Sequence, residues 1–559
     1  MAWWFGPAGV GEQGIGTLGS SGTWDALRSP RRHVRRGRPD YELPACQSRD
    51  LDWQEQNTDA RLRYGHARSG PDGARESERL IVPMKPANMP RVEPVEGRRR
   101  RVAESLEGNM ASASELDSVY TKRQRIAELA KQAPTMGFTS LNHHLDLDWL
   151  REAFRRTRLD GAVGVDGQTG ADYLVDLERN LESLLERAKS GTYRAPPVRR
   201  VRIPKGAGNE TRPLGIPTLE DKILQRAVVM ALEPIYEQDF LDCSFGFRPG
   251  RSAHQALQAI RDQTMARGGC WLVEVDIRKF FDTLDHAHLR SLLRQRVRDG
   301  VLLRLIDKWL KAGVLEGRVL THSDVGTPQG GVISPLLANV YLHYVLDVWF
   351  EQEVKPRLHG QAFLVRYADD FVMGFTCERD ARRVLEVLPK RFGKYGLTIH
   401  PDKTRLVPFL RPDRRSSAPD SGEVPPPGSF AFLGFTHCWS RSRRGYWVVK
   451  RKTAGSRLRR FLGAIADWCR RHRHEYIGVQ YCDGIRPKLK GHFQYFGLMD
   501  NLGTLWTVRY RVLCIWKKWL SRRSRHGYFT WAQMNEALKF RPLPKPRIYW
   551  PPSRSKPVT

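Results

Sequence analysis

Between Phe363 and Phe375 an apolar, β-favouring run leads up to two adjacent aspartates, Asp369 and Asp370, and a second such run leads away from them. This pattern predicts a hairpin with both acids at its tight turn. Buried flanking strands would hold the two carboxylates side by side, where they repel, so a compensating cation is expected. Mg²⁺ suits such a pair, because it keeps waters and binds through one or two carboxylates plus substrate phosphates. A solvated Asp-Asp turn is the plain alternative, Asp being a common turn former. Upstream, a second β-type run from Trp271 to Val275 delivers Asp276 at its end, followed by Ile277, Phe280 and Phe281. Two strands ending side by side would bring Asp276 to the Asp369 and Asp370 pair, the arrangement that two-metal phosphoryl transfer requires.

Composition narrows the partners. The 559 residues carry 93 Lys and Arg against 61 Asp and Glu, a formal net charge of +32. Such an excess points to a polyanion bound with marked salt dependence, although a ribosomal or chromatin protein would share it. The eight cysteines form no CxxC pair, so neither a zinc ribbon nor a disulfide framework is expected, and a reducing cytoplasm is the simplest setting. No apolar run reaches the length of a membrane span, and the first residues lack the pattern of a signal peptide.

The Tyr367-Ala368-Asp369-Asp370 stretch, the Asp276 stretch, and Gly326 to Asn339 between them resemble the palm of a reverse transcriptase. More narrowly, they resemble the reverse transcriptase and maturase proteins encoded by group II introns, over roughly residues 116–538. The resemblance implies an α+β right-hand polymerase with a mostly helical thumb/maturase domain; before it, a stretch rich in Gly, Arg, Ser and Pro without sustained periodicity predicts a disordered basic leader. The expected boundaries are 1–115 for the leader, 116–195 for an N-terminal extension, 196–440 for fingers and palm, 441–545 for the thumb and 546–559 for a tail. It further implies an RNA-directed DNA polymerase that also binds its parent intron RNA to promote splicing and mobility. Its expected partners are that RNA, an RNA template with a DNA primer, dNTPs and target DNA. No membrane is involved, a homodimer is left open, and the setting is a bacterial cytoplasm with nucleoid association. A splicing cofactor without polymerase activity, or a reverse transcriptase attached to host defence, are the rivals.

Carried residue by residue, the resemblance makes Asp276, Asp369 and Asp370 catalytic and gives two Mg²⁺ ions the ligands Asp276, Ile277, Asp369 and Asp370. For the incoming nucleotide it supplies Lys205 and Arg212 on one hairpin, Phe281 as a steric gate against a 2′-hydroxyl, Gln329 beside the nascent pair, and Lys403 near the triphosphate. Taken by themselves, Lys205 and Arg212 are equally well two exposed hairpin charges, while ordinary core packing is the plain reading of Phe280 and not of Phe281. Arg248 and Arg251 are expected against the template backbone, Ser252 as a helix cap, and Ser334 with Pro335 as the cap and first turn of another helix. Leu177, Leu181, Leu184 and Leu185 have helical spacing, as do Leu458, Phe461, Leu462, Ile465 and Trp468, and Leu505, Val508, Val512, Trp516 and Trp519. The stretch Ile485 to Phe496 resembles the maturase-specific thumb. Met84 or Met110 is a candidate physiological start. After Leu538 no His-Asn-His nuclease with paired cysteines is expected, so synthesis would start from an existing DNA end.

Overall fold

The computed structural model describes residues 113–204, 211–316, 319–321, 326, 330–412, 428–523 and 528–551. Residues 1–112 of the expected leader, Lys205, Gln329 and residues 413–427 lie outside the described residues. Along the chain the strands are β1 (Val198–Pro204), β2 (Thr211–Ile216), β3 (Gly269–Val275), β4 (Val314–Glu316) and β5 (Val319–Thr321). There follow β6 (Ala362–Tyr367), β7 (Asp370–Phe375), β8 (Arg405–Leu410), β9 (Phe430–Phe432), β10 (Phe435–Arg441) and β11 (Trp447–Thr453). With the helices around them they make a mixed helix and sheet fold.

The central antiparallel sheet has the order β6-β7-β3-β8. Its side chains alternate between two cores, as the two-residue period of a strand dictates. Val273, Val275, Leu364, Phe371, Met373 and Phe375 enter one core. Leu272, Phe363, Val365, Val372, Val407 and Phe409 enter the other. The first core is built with the helices Ala113–Gln132, Leu219–Asp239 and Ser334–Leu342, among others. Covering the opposite face are the helix Ala253–Ala266, the β11-β10-β9 sheet and the C-terminal helices Gly455–Arg471, Arg486–Phe496 and Leu502–Leu520. A separate sheet, β2-β1-β4-β5, carries the β1/β2 hairpin read from the sequence.

Helical spacing gave the right elements where one face is buried. Leu177–Ser190 buries Leu181 and Leu184, and Leu502–Leu520 buries Leu505, Val508, Val512 and Trp516. Ser252 caps its helix in a reciprocal box with Gln255. Ser334 does not cap: it is the first helical residue, and Ile333 occupies the cap position without a side-chain hydrogen bond. Gln225, from the core helix Leu219–Asp239, instead ties down the segment just before this helix by accepting from the Val332 and Ile333 amides at 2.8 and 3.4 Å. Before β8, the stretch 396–404 contributes a bridge from Ile399 to Ile277.

On the same core helix, Asp221 is almost fully buried and accepts from the Tyr193 hydroxyl and from Trp309 Nε1 at 2.9 Å. Burial pushes its carboxyl up to about 6. Because the folded protein favours the neutral acid, Asp221 contributes stability that is full below the ordinary value of 3.8 and lost as the pH rises through about 6. Asp221→Asn keeps an acceptor for both donors, so it should raise stability near pH 7.5 by up to about 3 kcal/mol and flatten the pH dependence. Urea midpoints at pH 4.5 and 7.5 test this, and an unchanged midpoint at pH 7.5 would refute it.

Candidate active site

The β6 and β7 strands close on the pair Tyr367 and Asp370, leaving Ala368 and Asp369 as a two-residue turn. Ala368 sits at φ +56°, a left-handed conformation that costs a residue with a Cβ roughly 1–2 kcal/mol. The turn is therefore held from outside. Arg366, with no exposed surface, donates from Nη1 to the Ala368 carbonyl at 3.1 Å and to Asn339 Oδ1 at 2.9 Å. Its Nε and Nη2 donate to Asp347 at 2.8 and 2.5 Å. On another side lies Gly246, where an added Cβ would stand 2.3 Å from the Ala368 nitrogen. Asn339 Nδ2 fixes the Gly246 carbonyl at 2.7 Å.

Asp276 follows the last residue of β3, and Val275 pairs with Phe371 of β7. Both strands thus deliver their acids at one end of the sheet. The backbone at Asp276 is pinned by the His400 amide, which donates to its carbonyl at 2.8 Å, and by the bridge from Ile277 to Ile399. Lys403 Nζ donates to Asp276 Oδ2 at 3.0 Å, so the lysine expected at the triphosphate contacts the first aspartate.

The electrostatics single out the adjacent pair. Burial raises the Asp369 carboxyl, the charge of Arg212 opposes the rise, and the charge of Asp276 adds to it. Burial, then the Asp369 charge and that of Asp276, push Asp370 up to about 6, against the pull of Arg457. No cation of the described residues forms an ion pair with either side chain, whereas Asp276 has Lys403. Unrelieved negative charge on hard oxygen donors is the chemistry that a divalent cation satisfies. The three acids do not close on one point: among the described residues, no group of three or more Asp, Glu, His or Cys side chains is assembled to hold a metal ion.

The remaining expected residues divide. Arg212 lies on β2 opposite Ile203 and acts electrostatically on Asp369. Phe280 is buried, while Phe281 is only partly so and meets it edge-on with ring centroids 5.3 Å apart. Gly326, at φ +89°, packs onto the turn that carries Phe281, since an added Cβ would come within 2.9 Å of its carbonyl. Arg248 is not available to a template: it is buried, bonded to Glu237 and to the Leu241 and Ser244 carbonyls. Arg251 instead pairs with Asp242 at 2.5 Å. Sequence reading did not assign a role to Arg457, in the first turn of the helix Gly455–Arg471, whose charge reaches Asp370. Nor did it assign a role to Asp347, or to Asn339 beyond its place at the end of the Gly326 to Asn339 stretch.

Residues 203–437 match the family model described as reverse transcriptase (RNA-dependent DNA polymerase). Protein YkfC of Escherichia coli (strain K12) is 34% identical over 357 residues, which cover 57% of this chain and 87% of that protein. The group II intron-encoded protein LtrA of Lactococcus lactis subsp. cremoris is 47% identical over 187 residues, 32% of this chain and 31% of LtrA. Nuclear intron maturase 2, mitochondrial, of Arabidopsis thaliana is 31% identical over 232 residues, 34% of this chain and 30% of that protein. The chain thus spans most of the first relative and about a third of the intron proteins.

Proposed function

Because this chain belongs to the reverse transcriptases and maturases of group II introns, we propose that it extends a DNA primer on an RNA template with dNTPs, and binds its intron RNA to promote splicing and insertion at target DNA. The observation that carries this reading is the unpaired carboxylate pair at a braced turn, beside the strand end that bears Asp276. Asp276, Asp369 and Asp370, with the Ile277 carbonyl, would hold two Mg²⁺ ions, which supply activation of the primer 3′-hydroxyl and neutralisation of the leaving pyrophosphate. Lys205, Arg212, Gln329 and Lys403 hold the triphosphate and the nascent pair, Arg as a fork and Lys as a point charge. Lys403 then exchanges Asp276 for a phosphate oxygen, a short swing for a half-exposed side chain. In right-hand terms, the central sheet is the palm, the β1/β2 hairpin the fingertips and the C-terminal helices the thumb. The net charge of +32 suits an RNA partner. No helix among the described residues is long and apolar enough to cross a membrane.

The test is extension of oligo(dT) on poly(rA) by the purified protein, with and without Mg²⁺, beside splicing of the parent intron with and without protein. Absence of templated extension would remove the polymerase reading, and unassisted splicing at full rate would remove the maturase one. Phe281 gives a sharper expectation. With Phe280 filling the core, Phe281 is free to stand under the sugar, so Phe281→Ala should lower discrimination against ribonucleotides by roughly 10-fold or more, a loss of about 1.4 kcal/mol. Equal dTTP to UTP preference in wild type and variant would return Phe281 to a packing role.

A further inference from the structure

We infer that the buried Arg366, Asp347 and Asn339 cluster is a positioning device that sets the Asp369 turn for chemistry, a role distinct from filling the core; the inference rests on the polymerase reading above. Arg366 and Asp347 are both fully buried. Complete desolvation makes such a pair no better for stability than apolar side chains of the same size, so its distinguishing property is fixed geometry. The contacts specify that geometry. Asp347 takes both ends of the guanidinium fork, which orients Nη1 toward the Ala368 carbonyl at 3.1 Å, one residue from Asp369. Asn339 joins Nη1 of Arg366 to the Gly246 carbonyl, and Gly246 abuts the Ala368 nitrogen. One side chain therefore connects the two surfaces that hold a turn strained at φ +56°. The β6 backbone is fixed at the same residue, with the Arg366 amide donating to Cys243 at 2.8 Å and the Phe245 amide donating to Arg366 at 2.9 Å. Asp347 itself ends a π-helical segment, His343–Asp347, a widened turn often found at functional sites. None of these three residues is a metal or substrate ligand. They act through the turn.

The experiment compares full-length wild type with Arg366→Met/Asp347→Leu, Arg366→Lys and Asn339→Ser on poly(rA) and oligo(dT), following melting temperature, RNA affinity, kcat and KM for dTTP. The double variant replaces the ion pair with apolar bulk. A positioning role predicts a melting temperature near wild type, RNA affinity and KM within about threefold, and kcat lowered by roughly 10²-fold, the scale of a misplacement near 1 Å. Arg366→Lys, which keeps charge without the fork, and Asn339→Ser, which keeps the pair and cuts the link to Gly246, should each lower kcat by about 10-fold with KM unchanged. Should the double variant fail to fold, these two carry the same test. A folded double variant with kcat within threefold of wild type, or single variants whose kcat falls only in step with RNA binding, would overturn the inference while leaving the polymerase reading intact. A wild-type protein without extension would overturn that reading and this inference together.

Discussion

Asp369→Ala protein should bind RNA as the wild type does and extend no primer. The carboxylate is lost where the structure concentrates unrelieved negative charge, and stabilisation of the transferring phosphate cannot be replaced by ground-state binding. Loss of a single well-placed electrostatic group typically costs 10²–10³ in kcat, so for a group assigned to the metals the loss should be at least about 10³-fold. Neither stability nor affinity should suffer. Burial already resists ionisation of Asp369, so alanine relieves a cost, and the substitution makes a chain of net charge +32 more basic. Single-turnover extension and filter binding on one preparation separate these effects. Extension near the wild-type rate would mean that Asp369 has been assigned wrongly, and a parallel loss of RNA binding would mean that the turn is part of the RNA surface.

Asp347→Ala should be among the most destabilising single substitutions in the protein. It strands the Arg366 guanidinium, with no exposed surface, with only Asn339 and the Ala368 carbonyl as hydrogen-bond partners among the described residues. Breaking one side of such a pair costs about 3–5 kcal/mol, because the remaining charge is neither solvated nor neutralised. The contrast is Arg158 with Asp160, whose side chains are 79% and 76% exposed. Asp160→Ala should leave the urea midpoint unchanged, since water replaces what the pair provides. An Asp347→Ala midpoint close to wild type would show that water or a rearranged partner enters the site.

Much of this arrangement was legible in the sequence wherever the signal is local. The hairpin announces itself through apolar runs on both sides of Asp369 and Asp370, and Asp276 through its place at the end of a short β-type run. Helices with one buried face, such as Leu502–Leu520, follow from spacing. What stayed hidden depends on topology. Arg366 and Asp347 stand 19 positions apart, and Asn339 lies 93 positions from Gly246. No periodicity marks such pairs. Ser334 followed the local rule for a cap, yet Ile333 stands at the cap position and Gln225, 107 positions from Val332, holds the amide of that residue. Arg248 looked like a surface cation because a single sequence does not reveal that Glu237 and two carbonyls enclose it.

The two-sided burial of the central sheet bears on synthesis of the protein. Strand β8 joins β3 soon after the hairpin emerges, so the sheet can assemble while everything from β9 onward is still being translated. During that interval Phe363, Val365, Val372 and Phe409 have only the helix Ala253–Ala266 for cover, because the β11-β10-β9 sheet and the C-terminal helices that complete their core come last. The nascent chain therefore passes through a stage with a sticky, half-dressed sheet, whose length is set by the ribosome's pace over the next hundred residues or so. Stop codons placed there should yield insoluble fragments in place of a smaller working enzyme, which ties retention of the C-terminal helices to solubility.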